Sequence, residues 1–351
     1  MLLYIHIPFC DSKCSYCAFN TYVDKFHLQT AYMQALLKQL HFELRRFECE
    51  GKSIETVFIG GGTPSTIGPK LYEPLFKILK PFLKEDIEIT SEANPNSATK
   101  EWLEGMFTLG VNRISFGVQS FDDTKLKLLN RAHNSQTAIN AVNNAKEIGF
   151  ENLSLDIIYG VAGDTAGLIE NDLDIAFSLP INHISAYALT IEEGTPFGKT
   201  PQMSHEKLAM TQELFHNITC KGFKQYEISN FGSYQSKHNI GYWEHKEYIG
   251  LGSGAVGFLK DRRYYPASSL EKYIENPLDI DEEKLSNEDI KIEKIFLGLR
   301  SFIGVSKSIL NIKERNRADL LATESKLTSK EGKYYNLDYL LSDELALFIT
   351  T

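Results

Sequence analysis

Short apolar runs alternate with longer amphipathic segments along roughly the first two hundred residues of the chain. The apolar runs predict six β-strands, at 2–7, 56–59, 87–91, 113–117, 153–158 and 183–189. Between them, apolar residues recur at helical spacing, which predicts helices at 32–47, 70–83, 99–109, 135–148 and 166–178. This repeated strand–helix–strand order predicts a parallel sheet with right-handed crossovers, either doubly wound or curved into a barrel.

Polar or glycine residues lie at the C-terminal end of almost every predicted strand. The first strand leads into Cys10, and the second leads into a GGGTP turn at 60–64. The third ends at Glu92, the fourth runs into Gln119, and the fifth carries Asp156 within an apolar run. Because (β/α) barrels assemble their active sites at this end of the strands, the sequence favours an α/β fold with a partial (β/α)6 TIM-type barrel and one site at its mouth.

The pattern changes near residue 200, where we place a domain boundary. We predict that 1–200 form the barrel and that 201–351 form a smaller C-terminal mixed domain. The segment 227–258 is rich in Gly, Ser and aromatic residues and has little helical periodicity, whereas helix is predicted again from Asn287 onward. The tail at 333–350 predicts a small hairpin that closes a winged-helix-like unit.

The composition excludes some classes of protein. A hydrophobic content of 42% and a charged content of 24% are typical of a soluble globular protein. A net charge of −9 argues against binding of nucleic acid or an anionic membrane through bulk electrostatics. No apolar run approaches the ~18 residues of a membrane span. The start of the chain does not resemble a signal peptide, so we expect a cytoplasmic protein.

Cysteines indicate the chemistry. The chain has five, and Cys10, Cys14 and Cys17 fall within eight residues in the stretch CDSKCSYC. An odd number with three clustered is a poor disulfide framework, so metal binding is the better interpretation. The polar residues beside the three cysteines also argue against simple core packing. Cys49 and Cys220 are expected to be ordinary helix residues.

Two kinds of metal site are compatible with three clustered thiolates. His6 could complete a Cys3His zinc site, which would suit a non-catalytic interaction module. Alternatively, the three cysteines could hold a 4Fe-4S cluster at three corners, leaving the fourth iron open to a small molecule.

The CxxxCxxC motif after the first strand, followed by GGGTP after the second, resembles the radical S-adenosylmethionine (SAM) family. This resemblance implies a full or partial (β/α) barrel with a 4Fe-4S cluster on Cys10, Cys14 and Cys17. The open iron of such a cluster chelates SAM, and one electron then releases a 5′-deoxyadenosyl radical. The cofactor supplies the difficult chemistry, and the protein supplies binding and exclusion of water.

Within this family, the chain is similar to the oxygen-independent coproporphyrinogen-oxidase-like branch. The resemblance implies that SAM is surrounded by Tyr4, Gly61, Gly62, Thr63, Glu92, Gln119, Arg131 and Asp156. The guanidinium of Arg131 suits the methionine carboxylate, whereas carboxylate and amide groups suit the amino group or the ribose hydroxyls. Glycines allow close approach of the backbone to the ligand. No residue is assigned a catalytic role.

The similarity extends over most of the chain, through stretches such as HIPFC, SEANP, RISFGVQSF and YALTIEEGTP. Two members of this branch are alternative interpretations of the sequence. One is the oxidase itself, which decarboxylates propionates in porphyrin biosynthesis; the other is a haem chaperone. Oxidases carry a further cysteine at the position of Phe19 and a longer segment before the cluster motif.

The stretch HNIGYW, from His238 to Trp243, matches the HNxxYW motif of the chaperone group. Imidazole can ligate haem iron, and Tyr242 and Trp243 can lie against a macrocycle. Taken alone, the stretch is more typical of a glycine-containing turn with two buried aromatics than of a haem site. The resemblance favours the haem chaperone. It implies haem as cargo, haem-dependent respiratory proteins as acceptors at the inner face of the membrane, and a homodimer.

Overall fold

The computed structural model describes residues 1–351, and six parallel strands form the centre of one twelve-stranded sheet. These strands are neighbours in chain order, so each strand pairs with the next one along the sequence. They are β1 (Leu2–Ile7), β2 (Ile54–Gly61), β3 (Leu83–Ala93), β4 (Arg113–Gln119), β5 (Asn152–Tyr159) and β6 (His183–Ala188). All six predicted strands are therefore confirmed, together with the α/β class and the parallel sheet.

Helices connect these strands and cover the outer face of the sheet. They are α1 (Gln29–Arg46), α2 (Pro69–Leu79), α3 (Lys100–Thr108), α4 (Asp123–Leu128), α5 (Ser135–Ile148) and α6 (Ala166–Ser178). Five were predicted, and the short α4 was not. The prediction for α2 ran too far, because Pro81 lacks the N–H that would continue the helix; the chain forms a 3-10 turn at Lys80–Phe82. Cys49 lies beyond the end of α1, so its placement within a helix was wrong.

Alternation along each strand separates the core from the barrel interior. In β1, Leu3, Ile5 and Ile7 are fully buried in the main hydrophobic cluster, together with residues of α1 such as Leu36. Successive strand residues point to opposite faces. Tyr4 and His6 therefore face the interior of the barrel, where polar side chains collect.

Strands from the second part of the chain extend the same sheet at both edges. On one side, β9 (Tyr248–Leu251) pairs parallel to β1, followed by the antiparallel strands β10 (Gly257–Leu259), β11 (Arg262–Pro266) and β12 (Ile280–Lys284). On the other side, β8 (Asn230–Gly232) pairs antiparallel with β6 and is followed by β7 (Lys224–Gln225). Residues on both sides of position 200 thus share one sheet, and the domain boundary stays a prediction.

Three helices lie between these added strands: α7 (Leu208–Cys220), α8 (Lys237–Trp243) and α9 (Leu270–Glu275). The HNIGYW stretch forms α8, although little helical periodicity was found there. The reason is a pair of caps. The Ser236 hydroxyl accepts a hydrogen bond from the amide of Asn239, and the buried carboxylate of Glu88 accepts from the amides of Lys237 and His238. Both caps satisfy amides that a helix N-terminus leaves free.

The C-terminal unit has its own small core. The helices α10 (Asn287–Leu299), α11 (Ile312–Thr323) and α12 (Ser342–Thr350) pack beside a three-stranded antiparallel sheet of β13 (Val305–Ser306), β14 (Leu327–Lys330) and β15 (Lys333–Asn336). The hairpin therefore lies at β14 and β15, earlier than predicted, and the tail after it is helical. None of the helices in the protein is long and apolar enough to cross a membrane.

Candidate functional site

The three clustered cysteines lie on the loop between β1 and α1. Cys10 and Cys14 are each 8% exposed, and none of the three forms a disulfide. The Cys10 sulfur is 3.3 Å from the hydroxyl of Thr63. Burial raises the pKa of Cys10 to about 11 and also raises the pKa of Cys17. The thiols of Cys10 and Cys17 therefore stay protonated at neutral pH unless a metal centre displaces the protons, as coordination does.

The GGGTP turn brings its backbone close to the cysteine loop. Gly61 has a φ of +112°, and its amide donates a hydrogen bond of 3.0 Å to Glu92 Oε2. A side-chain carbon on Gly62 would lie 2.8 Å from the carbonyl oxygen of Phe9 and 3.0 Å from the Cys10 sulfur. Glycine is required at Gly62 because two loops approach each other more closely than a Cβ atom permits.

Arg131 links the cysteine loop to the strand ends. Its Nη1 donates to the Cys14 sulfur over 3.1 Å. Its Nη2 donates to the side-chain oxygen of Asn94 and to the carbonyl oxygen of Gly117. Asn94 in turn donates to the Thr63 hydroxyl over 3.1 Å. A fixed guanidinium of this kind is suited to binding a carboxylate.

Two half-buried carboxyl groups, Glu92 and Asp156, face the interior of the barrel. Burial and the nearby charge of Asp156 raise the pKa of Glu92 to about 8. Burial also raises the pKa of Asp156, which accepts a 3.3 Å hydrogen bond from the Ser115 hydroxyl. Arg113 is buried below them, and its charge acts in the opposite direction on both groups. A cationic ligand would favour ionisation of these carboxyl groups.

Gln119 ends β4 in a strained backbone conformation. Its φ is +71°, which is uncommon for a residue other than glycine, and the pairing of β4 with β5 shifts register just before it. Strain of this kind is concentrated at binding and catalytic sites. The strain holds the Gln119 amide at the mouth of the barrel.

These groups line one cavity of about 400 Å³. Ten residues singled out in the sequence lie on its wall: Cys10, Cys14, Cys17, Gly61, Gly62, Thr63, Glu92, Gln119, Arg131 and Asp156. The volume and the few convergent polar groups are those of a small-molecule site. The cavity therefore brings the thiols, the glycine turn and the carboxyl groups together.

Four of the predicted cofactor-binding residues do not line this cavity: Tyr4, His238, Tyr242 and Trp243. Tyr4 faces a second cavity, which Tyr242 also lines. His238 is 1% exposed; its Nδ1 lies 2.7 Å from the Thr56 hydroxyl, and its Nε2 is buried without a partner. The Trp243 indole nitrogen is also buried and unpaired. Thr56 in β2 and Glu88 in β3 contact α8, and both residues come before the C-terminal ends of their strands. The cysteines lie at those C-terminal ends, so the HNIGYW helix lies away from them.

The zinc alternative does not fit the geometry. Both ring nitrogens of His6 are engaged, with Nδ1 3.1 Å from the Tyr4 hydroxyl and Nε2 2.9 Å from the carbonyl oxygen of Asn20. No three His, Cys, Asp or Glu side chains in the chain are grouped as a single metal ion requires. Three thiols on one loop beside a cavity do fit a cluster held at three corners.

Several cavity residues were missed as site residues. Asn94 and Tyr187 also line the cavity, and their positions just after or near the end of strands were the available signal. Tyr16, between the second and third cysteines, lines it as well. Arg113, at the start of β4, does not line the cavity; it shares a strand face with Ser115, two residues further on, which places it below the carboxyl groups.

Comparison with known proteins identifies the class first. Residues 4–176 match the family described as "Radical SAM superfamily". The fold agrees with that of the solved structure "Coproporphyrinogen III oxidase (HemN) from Escherichia coli is a Radical SAM enzyme", with a TM-score of 0.83 at 20% identity over 100% of this chain and 90% of that one. The family match includes all three cysteines and the strands up to β5, and it ends before β6. This protein has a radical SAM fold, and the superfamily implies a 4Fe-4S cluster and SAM.

Closer relatives then identify the family. The chain is 35% identical over 324 residues to "Heme chaperone HemW" of Bacillus subtilis, covering 87% of this chain and 84% of the relative. It is 39% identical over 263 residues to the Escherichia coli protein of the same name, covering 73% and 69% of the two chains. The chain belongs to the HemW family of radical SAM proteins.

Proposed function

We propose that this protein is a haem chaperone that carries a 4Fe-4S cluster and SAM, binds haem and delivers it to haem proteins. The observation that carries the proposal is its 35% identity to a protein named heme chaperone over 84% of the length of that protein. The cavity beside the cysteines supports the cluster and SAM, and the HNIGYW helix supports the haem cargo.

In this proposal, Cys10, Cys14 and Cys17 hold the cluster. A bound cluster supplies an iron that SAM can chelate and an electron that can cleave it. Gly62 permits the close approach of the turn to Cys10, and Arg131 holds Cys14 through a hydrogen bond of 3.1 Å. The cluster loop is thus anchored from two directions before any ligand binds.

SAM would lie in the same cavity. Gly61, Gly62 and Thr63 present backbone and hydroxyl groups to its methionine end, and Arg131 suits the carboxylate. Glu92, Gln119 and Asp156 suit the amino group or the ribose hydroxyls. Because burial and the charge of Asp156 raise the pKa of Glu92 to about 8, binding of a cation would be coupled to release of its proton.

Haem is the proposed cargo, and the HNIGYW helix is its proposed binding element. Tyr242 faces a cavity that is open to the surface, whereas His238 and the Trp243 indole nitrogen are enclosed behind it. The respiratory acceptors, the homodimer, the cytoplasmic location at the inner face of the membrane and the boundary near residue 200 stay predictions.

The competing function is coproporphyrinogen oxidation. Phe19 is 67% exposed at the rim of the cysteine cavity, where oxidases of this branch carry a cysteine, and a phenyl ring cannot transfer a proton or an electron as a thiol can. The test is anaerobic incubation of the reconstituted protein with coproporphyrinogen III, SAM and a reductant. We expect no protoporphyrinogen; its formation would overturn the proposal.

Haem delivery has its own test. The protein is titrated with haem and the complex is separated from free haem by gel filtration. The loaded protein is then mixed with the apo form of a haem-dependent respiratory enzyme, with the same amount of free haem as the control. We expect a stoichiometric complex and faster activation of the enzyme than by free haem. Failure to retain haem would contradict the proposal.

A further inference from the structure

A second cavity, of about 470 Å³, lies between the end of α8, the strands β9 to β11 and the helix α10. It shares none of its lining with the cavity beside the cysteines. Tyr4, Tyr242, Tyr248, Phe258 and Phe296 contribute aromatic rings to its wall. Its size is within the range of small-molecule sites, and of the residues that the resemblance assigns to SAM only Tyr4 lines it.

The aromatic rings form a continuous wall. Tyr242 and Tyr248 meet edge to face, with ring centroids 4.8 Å apart at 85°. Tyr248 and Phe258 follow at 6.0 Å and 38°. These contacts fix the rotamers of the rings before a ligand binds, so binding costs little side-chain entropy. The fixed rings offer both faces and edges to a flat ligand. The wall therefore suits a planar aromatic molecule.

His245 adds a nitrogen ligand to this wall. Its side chain is 7% exposed, and its Nε2 lies 2.9 Å from Oε2 of Glu293. The carboxylate can only accept, so Nε2 carries a proton, and in the neutral ring Nδ1 has a lone pair. Nδ1 makes no hydrogen bond and is not fully buried, and the side chain lines the cavity. Histidines that bind metal are held in the same way, by a carboxylate on the other ring nitrogen.

The backbone places His245 directly after the end of α8. Its φ is +58°, the left-handed conformation that commonly ends a helix. Glu48, Asn130 and Ser325 adopt the same conformation after other helices of this fold, and histidine tolerates it better than most residues. The turn therefore fixes the position of His245, whose side chain lines the cavity.

Positive side chains lie at the edge of the cavity. Lys246 is 44% exposed in its side chain and pairs with Glu55 and Glu244 at the surface. Arg263 pairs with Glu293, behind His245. Carboxylates at the rim of a flat ligand would find a cation in Lys246, because an exposed ion pair is exchanged at little cost.

We propose that this second cavity binds an iron tetrapyrrole of the haem class, with His245 Nδ1 as an iron ligand and Tyr242 against the macrocycle. The inference rests on the proposed function, which makes haem the cargo. It assigns the iron to His245 rather than His238, because the free nitrogen of His238, Nε2, is fully buried, whereas His245 Nδ1 is not. His238 is a positioning residue that holds Tyr242 at the cavity.

The test is a spectroscopic titration of the full chain with haemin. It compares the wild type with His245→Ala, His238→Ala and, as a matched control, His41→Ala on the exposed face of α1. We expect His245→Ala to weaken binding by about tenfold or more and to change the Soret band, and we expect added imidazole to restore the band. His41→Ala should match the wild type.

Each alternative result has a distinct meaning. If the wild type does not bind haemin, the proposed function itself fails. If the wild type binds and His245→Ala binds equally well with an unchanged Soret band, the proposed function stands and this inference is overturned. Loss of the iron ligand in His238→Ala, with His245→Ala unaffected, would overturn it in the same way.

A second variant tests the cavity without removing a ligand. Val256 lines it and is only half-buried, so Val256→Trp should fill it. We expect loss of haemin binding, with unchanged iron and sulfide content and an unchanged circular dichroism spectrum. Iron-free protoporphyrin IX should bind the wild type and His245→Ala equally and should not bind Val256→Trp. Normal haemin binding by Val256→Trp would exclude this cavity.

Discussion

Arg131 Nη1 lies 3.1 Å from the sulfur of Cys14, across 117 residues of sequence. The sequence assigned these residues to two different ligands, the arginine to SAM and the cysteine to the cluster. The hydrogen bond makes them parts of one structure. An arginine that already holds the cluster loop, Asn94 and the Gly117 carbonyl has little freedom left to lose when a carboxylate binds.

The substitution Arg131→Lys tests whether SAM binding depends on the planar guanidinium group or only on its positive charge. Lysine keeps the positive charge but cannot contact Cys14, Asn94 and Gly117 together, because it has no planar fork. We expect the affinity for SAM to fall by about tenfold, which corresponds to about 1.4 kcal/mol, with iron and sulfide content retained. Equilibrium dialysis with the reconstituted protein measures this. Arg45→Lys, on the exposed face of α1, is the control; equal SAM affinity in both variants would contradict the prediction.

The cysteines should divide into two groups. Substitution of Cys10, Cys14 or Cys17 by serine should prevent assembly of the cluster, because each substitution removes one of its three ligands. Ser at Cys49 or Cys220 should leave iron, sulfide and visible absorption unchanged, because both lie outside the cavity. Chemical analysis of iron and sulfide after anaerobic reconstitution measures the effect. A full cluster content in Cys14→Ser would refute the assignment.

Gly62→Ala should disturb the cluster loop through packing alone. The new methyl group would contact backbone atoms of Phe9 and Ile7 at 2.8 and 2.9 Å, and backbone cannot rotate away. We expect a loss of about 1–3 kcal/mol in the free energy of unfolding, measured by urea denaturation. Gly167→Ala, in α6 with no atom within 4 Å, is the control, and it should be neutral or stabilise by up to about 1 kcal/mol. Equal stability of the two variants would contradict the packing argument.

Glu92 should make stability depend on pH. In the folded protein its pKa is about 8, whereas an unfolded Glu titrates near ~4.3. Between these values the folded state binds the additional proton, so the free energy of unfolding falls as pH rises. Glu92→Gln removes this contribution.

The variant should therefore gain stability relative to the wild type between about pH 5 and pH 8, by a few kcal/mol at most. Urea denaturation at a series of pH values measures the difference. Glu213→Gln on the exposed surface of α7 is the control and should follow the wild type. A difference between Glu92→Gln and the wild type that stays constant with pH would show that the carboxyl group is not protonated in the fold.

Local patterns were sufficient for the barrel and for most of one site. All six strands were predicted because buried parallel strands are apolar runs separated by amphipathic helices. Ten of the predicted cofactor residues lie on one cavity because the C-terminal ends of parallel strands meet at one edge. The cysteine motif needed no tertiary information, because its three thiols are on one loop.

Local sequence patterns could not predict the second cavity. HNIGYW is helical because the Glu88 carboxylate caps it across 149 and 150 residues of sequence, and no local pattern contains that contact. His245 has no motif that marks it; its significance arises from its contact with Glu293 and from the aromatic wall around it.

The sequence by itself determined the family, the parallel sheet and the three thiols, because these depend on spacing and on the period of apolar residues. Only the tertiary structure decided which side chains share a cavity. It turned the His238 imidazole inward and left His245 Nδ1 accessible, because long-range capping and packing, rather than local preference, set the direction of those rings.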